Sequence, residues 1–341
     1  MGDEGERRQA NIVWSARPGR RFTRREKSRK AVNIQARSLA LGILLRNNMA
    51  AASLTAPRQR LGFQRFVARL LLVLLIIYAA ACAYFYFQQD QMTFPAPTDY
   101  LAATPTNAGI PFEDLHIPVN ESEQIHAWWI PASPVSDRVL LVFHGNGYVL
   151  EQTVRGELVA LDSLGVNLLL VDYRGYGSSS HRTPNEKRVY EDAGAAFRYL
   201  TVQRNVPSRD VIFLGRSIGT GPATEMAREH PDAGGLILLS PFTSTTDIAK
   251  TIWYLRPFPL SLLSHNRFDN LSKMDSIHVP VFIAVGDADR LTPPAMAQAL
   301  FQSANEPKRV YVSQGADHDD IMSTEVNTLE AQIRAFIQTI K

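Results

Sequence analysis

The sequence predicts an α/β protein built on a mostly parallel, doubly wound sheet. From residue 112 onward, apolar runs of strand length alternate with segments of helix length. Such runs, rich in Val, Ile and Leu, are typical of strands buried on both faces of a sheet that helices cover. They are RVLLVF, VNLLLVD, DVIFLG, GLILLS, PVFIAVG and RVYVSQ, after a predicted antiparallel pair DLHIPV and QIHAWWI. The regular alternation of strand and helix predicts the doubly wound arrangement.

An uncharged apolar segment precedes this domain. Residues 70–87, LLLVLLIIYAAACAYFYF, are long enough for a helix that crosses a bilayer of roughly 30 Å. Arginines precede the segment and aromatic residues gather at its C-terminal end, as at a membrane interface. We therefore predict one transmembrane helix, a cytoplasmic N-terminus and an extracytoplasmic domain, periplasmic if the host is a bacterium. A cleaved signal peptide is the alternative, because residues 79–81 are alanines.

The basic residues of the chain are concentrated in residues 1–69. This segment holds 16 Lys and Arg against 4 Asp and Glu, whereas the rest holds 20 against 29. The excess positive charge thus belongs to a tail, and we predict no nucleic-acid binding. The tail lacks long periodic apolar segments, which favours disorder, and Met49 is an alternative start. A linker is predicted over 88–111, and the lone Cys82 excludes an intramolecular disulfide.

A long interval interrupts the alternation of strands and helices inside the domain, which we predict to span 112–341. Residues 241–279 separate two strands, and loops of this length are usually lids or inserts with a function. The centre of the interval, TIWYLRPFPLSLL, is strongly apolar. We predict a short lid insert that binds an apolar acyl chain. The alternatives are an ordinary helix broken by proline, or apolar residues that pack the lid on the sheet or the membrane.

Polar side chains follow the strands at the edge where a parallel sheet binds ligands. Ser217 follows one apolar run, Asp287 and Asp289 follow another, and His318 comes shortly after the last. A histidine can remove the proton of a serine hydroxyl when a carboxylate holds its tautomer. The order of serine, aspartate and histidine is that of a nucleophile-elbow hydrolase. We predict Ser217 as nucleophile and His318 as base, with either aspartate as the acid.

The residues beside Ser217 predict a site for a developing oxyanion. Gly215 and Gly219 permit a sharp strand-to-helix turn because neither carries a Cβ. The N–H of Ile218 then lies at the start of a helix, whose dipole favours negative charge. Asn146, in the loop after an earlier strand, is predicted to supply the second N–H. No spacing of ligand residues indicates a metal site.

Six motifs in order make residues 100–341 resemble the α/β-hydrolase superfamily, in its Bem46/ABHD13-like branch, often grouped with serine aminopeptidases of the S33 type. They are HGNG, DYRGYGSS, GRSIG, FDNLSKM, GDADRLTP and GADHDD. The resemblance implies that Asp289 is the acid, in a G-x-x-D-x-x-x-P pattern with Gly286 and Pro293. This chain has HGNG where the family usually has HGNA. The change leaves the backbone N–H donors of this loop in place. Family members commonly have one N-terminal membrane helix, and the resemblance does not cover 1–69.

The combined expectation is a membrane-anchored serine hydrolase that cleaves carboxylic esters or thioesters of apolar, lipid-like acyl chains without a cofactor. A serine aminopeptidase is the first alternative. It would need carboxylates for a free amino group, and Asp247, Asp269 and Asp275 lie near the ends of the insert with basic residues opposing them. A non-catalytic anchored scaffold is the second alternative, and it predicts that a member of the triad is missing. The sequence predicts neither the substrate nor the oligomeric state.

Overall fold

The structure, a computed structural model, describes residues 24–97, 102–154 and 156–340. The chain divides into two compact units, with the boundary between Ile77 and Tyr78. The sheet, the insert and the candidate site all belong to the second unit. Residues 1–23 of the predicted tail lie outside the described residues.

Helix α1, Arg24–Thr93, is longer than the predicted membrane segment at both ends. Residues 24–69, for which disorder was predicted, are helical, since Ala, Leu, Arg and Gln, all strong helix formers, dominate there. Residues 88–93, predicted as the start of a linker, continue the same helix. Within α1, Gly62–Thr93 is long and apolar enough to cross a membrane.

In the described part of the chain, eight strands form a single sheet in the order β1-β2-β4-β3-β5-β6-β7-β8. The strands β1 and β2 pair antiparallel, as does β2 with β4, and all the remaining pairs are parallel. The predicted α/β fold class with a mostly parallel sheet is therefore confirmed. The strands are β1 Glu113–Pro118, β2 Gln124–Ile130, β3 Val139–Phe143, β4 Asn167–Val171, β5 Val211–Arg216, β6 Gly235–Leu239, β7 Val281–Gly286 and β8 Lys308–Ser313.

Helices cover both faces of the sheet, because alternate residues of its strands are apolar on each side. In β3, Leu141 and Phe143 belong to one core with α4, α5 and α8, whereas Leu140 and Val142 belong to a second core with α3 and α9. The helices after α1 are α2 Leu150–Thr153, α3 Glu157–Asp162, α4 Glu186–Arg198, α5 Thr220–Glu229, α6 Thr245–Thr251, α7 Leu260–Leu263, α8 Pro294–Ser303 and α9 Val326–Ile337.

The interval between β6 and β7 contains the short helices α6 and α7 and a final 3-10 turn, Leu271–Ser276. Its last part returns to the core, where Phe268 and Met274 are fully buried. The amide of Asn270 donates to the carbonyl oxygen of Phe242 and closes the interval at its base. The predicted range of the insert, 241–279, thus includes core residues, and its first two-thirds, around α6 and α7, cover the carboxyl edge of the sheet.

Candidate active site

Ser217 occupies a strained turn between β5 and α5. Its φ is 52°, a left-handed conformation that a residue with a side chain rarely adopts. A Cβ on Gly215 would overlap the carbonyl oxygen of Gly219, and a Cβ on Gly219 would overlap that of Phe143. The chain can therefore pass from strand to helix within a few residues only if both positions are glycine, and the turn presents the serine at the carboxyl edge of the sheet.

His318 lies between Ser217 and Asp289 in a continuous series of hydrogen-bonded side chains. Its Nε2 is 2.8 Å from Oγ of Ser217, and its Nδ1 is 2.9 Å from Oδ2 of Asp289. All three side chains come from loops at strand ends, after β5, β7 and β8. With the Nδ1 proton donated to the carboxylate, Nε2 is free to accept the serine proton.

The carboxylate of Asp289 is buried and held by the loop in which it lies. The backbone N–H groups of Leu291 and Thr292 donate to Oδ1 at 2.9 and 2.7 Å, and the hydroxyl of Thr292 donates to Oδ2 at 2.7 Å. Burial opposes its ionisation, but the hydrogen bonds from His318 and Thr292 outweigh burial and lower the pKa of Asp289. It therefore remains a carboxylate near neutral pH.

Asp287, the other candidate for the acid, has a different partner. It is exposed, and its Oδ1 accepts a hydrogen bond from the backbone N–H of Gly315 at 2.7 Å. Asp287 thus ties the loop after β7 to the loop that leads to His318. Of the two aspartates, Asp289 is the one that is hydrogen-bonded to His318.

The two predicted oxyanion residues line the same cavity as the serine. Ile218 follows it in the turn before α5, and Asn146 lies in the loop after β3. A Cβ on Gly145 would lie 3.4 Å from Cβ of Ser217, so the backbone of that loop passes directly beside the nucleophile. Ile218, Asn146 and Ser217 all line one cavity. Their backbone N–H groups as oxyanion donors stay a prediction.

A buried polar network supports the loop after β3. Nε2 of His144 lies 3.3 Å from Oδ1 of Asp172, and the hydroxyl of Tyr173 donates to the carbonyl oxygen of His144 at 2.9 Å. The other oxygen of Asp172 lies 3.3 Å from Nδ1 of His126. No motif of the sequence includes His126 or indicates a partner for it. The sheet brings it to Asp172, which is fully buried.

The cavity beside Ser217 has a volume of about 250 Å³. The insert contributes seven apolar residues to its wall: Phe242, Ile248, Ala249, Ile252, Leu255, Leu260 and Leu263. The C-terminal end of α1 contributes four more residues, which sequence reasoning assigned to membrane or linker: Phe85, Gln89, Met92 and Thr93. Among the described residues, no charged side chain lines this cavity. The cavity therefore suits an uncharged, apolar part of a substrate.

Within the described ranges, no three His, Cys, Asp or Glu side chains are grouped so that they could hold a metal ion. The serine, the histidine and the carboxylate of the site are the set of groups required for acyl transfer to a hydroxyl.

Relatives and solved structures agree with the fold. The sequence model of the family "Serine aminopeptidase, S33" matches residues 135–271. An uncharacterised protein of Mycobacterium tuberculosis is 32% identical over 226 residues, which cover 66% of this chain and 78% of that protein. Alpha/beta hydrolase domain-containing protein 17B of Homo sapiens is 30% identical over 204 residues, which cover 59% of this chain and 67% of that one.

Two solved structures share the fold at low sequence identity. An esterase of Pyrococcus furiosus superposes with a TM-score of 0.62 at 20% identity and covers 72% of this chain and 96% of its own. Est1E of Butyrivibrio proteoclasticus, solved with ferulic acid bound, gives 0.53 at 17% identity and covers 66% and 98%. The narrower resemblance to the Bem46/ABHD13-like branch stays a prediction. By its fold and its relatives, this chain belongs to the α/β-hydrolase superfamily.

Proposed function

We propose that this protein is a membrane-anchored serine hydrolase that cleaves carboxylic esters or thioesters with an apolar acyl chain. One observation carries the proposal: Ser217, His318 and Asp289, which are far apart in sequence, form one hydrogen-bonded series beside an apolar cavity. A hydroxyl in that series is activated without any cofactor.

The proposed reaction proceeds through an acyl-enzyme. Oγ of Ser217 attacks the carbonyl carbon while Nε2 of His318 takes its proton, and Asp289 stabilises the resulting imidazolium. The N–H groups of Ile218 and Asn146 would bind the oxyanion, which forms beside the start of a helix. His318 then protonates the leaving alcohol or thiol. A water molecule, deprotonated by the same histidine, releases the acid and restores the serine.

The walls of the cavity support an apolar acyl substrate. Burial of each methylene is worth roughly 0.8 kcal/mol, so each additional methylene should raise kcat/KM about three- to fourfold until the cavity is full. An aminopeptidase would need a carboxylate near the site to hold a free amino group. Asp247 is instead engaged by Thr243, Ser244 and Lys250, and in the described part of the wall no acidic side chain occurs.

A fluorophosphonate probe tests the serine hydrolase proposal directly. The wild-type protein should label, Ser217→Ala should not, and Ser276→Ala should label like the wild type, because Ser276 is exposed and belongs to a turn of the insert. Absence of labelling in the wild type would favour the non-catalytic scaffold. Equal labelling of Ser217→Ala would reject Ser217 as the nucleophile.

A substrate panel separates the candidate activities. We expect p-nitrophenyl esters and acyl thioesters of medium to long chains to be hydrolysed faster than aminoacyl anilides. A flat dependence on chain length, or faster turnover of an aminoacyl anilide than of p-nitrophenyl octanoate, would favour the aminopeptidase.

We also infer that the apolar part of α1, Gly62–Thr93, anchors the enzyme in a membrane with the basic N-terminus in the cytoplasm. Its length and composition, and the arginines before the apolar segment, support this orientation. Protease added to spheroplasts of a bacterial expression host should digest residues 112–340 and spare the tail. Protection of the hydrolase domain would contradict this topology.

A further inference from the structure

We propose that the last turns of α1, residues 85–93, are a wall of the acyl-binding site, and that Phe85 and Met92 determine the chain length that the enzyme accepts. This inference rests on the proposed hydrolase function and deepens it. The helix would then act both as an anchor and as part of the substrate site. Its expected ligand is a fatty acyl ester or thioester.

One face of the helix is turned towards the cavity. Phe85, Gln89 and Met92 are spaced four and three residues apart, which places them on the same side of an α-helix. All three line the cavity that reaches Ser217. Phe85 and Gln89 are half-buried and Met92 is 49% exposed, whereas the neighbouring Tyr84 and Phe87 are 60% and 78% exposed and do not line the cavity. The contribution to the cavity therefore belongs to one face and not to the apolar segment as a whole.

The end of the helix is attached to the loop that carries a predicted oxyanion donor. The side-chain amide of Asn146 donates to the carbonyl oxygen of Thr93 at 3.3 Å. The next residue, Phe94, is buried and packs edge-to-face on Phe268, with 5.9 Å between ring centroids. These contacts hold the wall beside the nucleophile, at the head of the acyl site.

Polar contacts fasten the insert to the same helix. The amide of Gln89 donates to the carbonyl oxygen of Leu263 at 3.0 Å and accepts from the N–H of His265 at 2.8 Å. The carboxylate of Asp90 accepts from the amide of Asn266. Leu263 is the last residue of α7, and His265 and Asn266 follow it. The insert is thus held against α1, and the cavity between them has walls from both.

An aromatic contact marks the far part of the wall. The ring of Phe85 lies edge-to-face on Phe258 of the insert, with 4.8 Å between centroids. Phe85 precedes Thr93 by eight residues, which corresponds to roughly 12 Å along a helix. An acyl chain that starts at Ser217 and follows the helix would reach Met92 first and Phe85 later. A smaller residue at 85 should therefore admit longer chains, and a larger residue at 92 should exclude them.

The experiment uses the full chain in detergent micelles and measures kcat/KM for p-nitrophenyl butyrate, octanoate and dodecanoate. For Phe85→Ala we expect the ratio of dodecanoate to butyrate to rise about threefold for each methylene newly accommodated. For Met92→Trp we expect that ratio to fall at least tenfold. Phe87→Ala and Tyr84→Ala, on the exposed side, are the matched controls and should keep the wild-type ratio.

Labelling by the fluorophosphonate probe reports how much of each variant is folded and active, so the ratios refer to competent enzyme. If Met92→Trp does not fold, the comparison of Phe85→Ala with Phe87→Ala decides. An unchanged ratio in the Phe85 variant, with esters still hydrolysed, overturns the inference and leaves the hydrolase proposal intact. A wild-type protein that neither labels nor hydrolyses any ester overturns both.

Discussion

The guanidinium of Arg216 donates to the carbonyl oxygen of Asp319 at 3.0 Å, and so joins the residue before the candidate nucleophile to the residue after the candidate base. The same guanidinium pairs with Glu157 at 3.1 Å and lies over the ring of Tyr148, 5.0 Å from its centroid. Arg216 is only 5% exposed. It thus connects the end of β5 to α3, to the loop after β3 and to the loop of His318, and we infer that it positions Ser217 and His318.

Replacement of Arg216 should therefore reduce the rate of the chemical step more than substrate binding. We expect Arg216→Gln to lower kcat ten- to a hundredfold with KM within about threefold, because the loss of a buried ion pair leaves Glu157 unpaired and frees the loop of His318. Arg216→Lys should recover only part of the rate, since an ammonium cannot reproduce the planar fork. Steady-state kinetics of ester hydrolysis measure both constants. Arg209→Gln, an exposed arginine, is the control, and a change confined to KM would contradict the positioning role.

The two aspartates after β7 should differ sharply in their effect on catalysis. Asp289→Asn is expected to lower kcat by roughly four orders of magnitude, the size seen when the orienting carboxylate of a serine protease is replaced. Asp287→Asn should change kcat less than threefold, because this carboxylate contacts the backbone of Gly315 and not His318. Pre-steady-state release of p-nitrophenol measures the acylation step. Comparable losses in the two variants would argue against Asp289 as the acid.

The turn at Ser217 should tolerate no side chain at Gly219. A methyl group at Gly219 would overlap the carbonyl oxygen of Phe143, the last residue of β3, so β3 and the start of α5 would have to move apart. We expect Gly219→Ala to cost about 2–3 kcal/mol of stability, which would lower Tm by roughly 5–10 °C, and to abolish probe labelling. Gly156→Ala, where a Cβ meets no atom within 4 Å, is the control for a thermal melt of the full chain. A wild-type Tm for Gly219→Ala would refute the steric argument.

The network around Asp172 predicts how stability depends on pH. Burial disfavours the charged form of His126, but its hydrogen bonds to Asp172 and Asp114 outweigh burial and raise the pKa of His126. A raised pKa means that the folded state holds the proton more tightly than the unfolded state. The stabilising contribution is therefore complete below the ordinary histidine pKa of about 6.5, and it is lost as the pH rises through the raised value.

Thermal melts at a series of pH values check this prediction. The wild-type Tm should decline above neutral pH, and His126→Gln should have a lower Tm in mild acid and a shallower decline. His181→Gln, at an exposed position, should follow the wild-type curve. The pKa of Asp172 is lowered, since its hydrogen bonds from His126 and His144 outweigh its burial. Its contribution is lost only in strong acid, as the pH falls through that lowered value. Identical slopes for wild type and His126→Gln would contradict the assignment.

The sequence by itself determined the fold class, and it did so through local patterns. Apolar runs of strand length without polar alternation are typical of a covered parallel sheet, and parallel strands have their carboxyl ends at one edge. That rule was sufficient to predict that Ser217 and His318 would meet. The need for glycine around Ser217 could also be predicted, because a sharp strand-to-helix turn leaves little room for a Cβ. The tertiary structure adds that the obstacle at Gly219 is the carbonyl oxygen of Phe143 in β3.

The tertiary structure decided what depends on the course of loops and on contacts between distant segments. Asp287 and Asp289 differ by two positions, and only the backbone after β7, held by the N–H groups of Leu291 and Thr292, turns the second towards His318. The pairing of β2 with β4 brings His126 next to Asp172, and no local pattern in the sequence predicts that contact. The contribution of Phe85 and Met92 to the cavity wall could not be predicted from the sequence, for a further reason. An apolar helix has the same composition whether its side chains face lipid, solvent or a substrate pocket, and only the position of the insert against α1 distinguishes one face from the others.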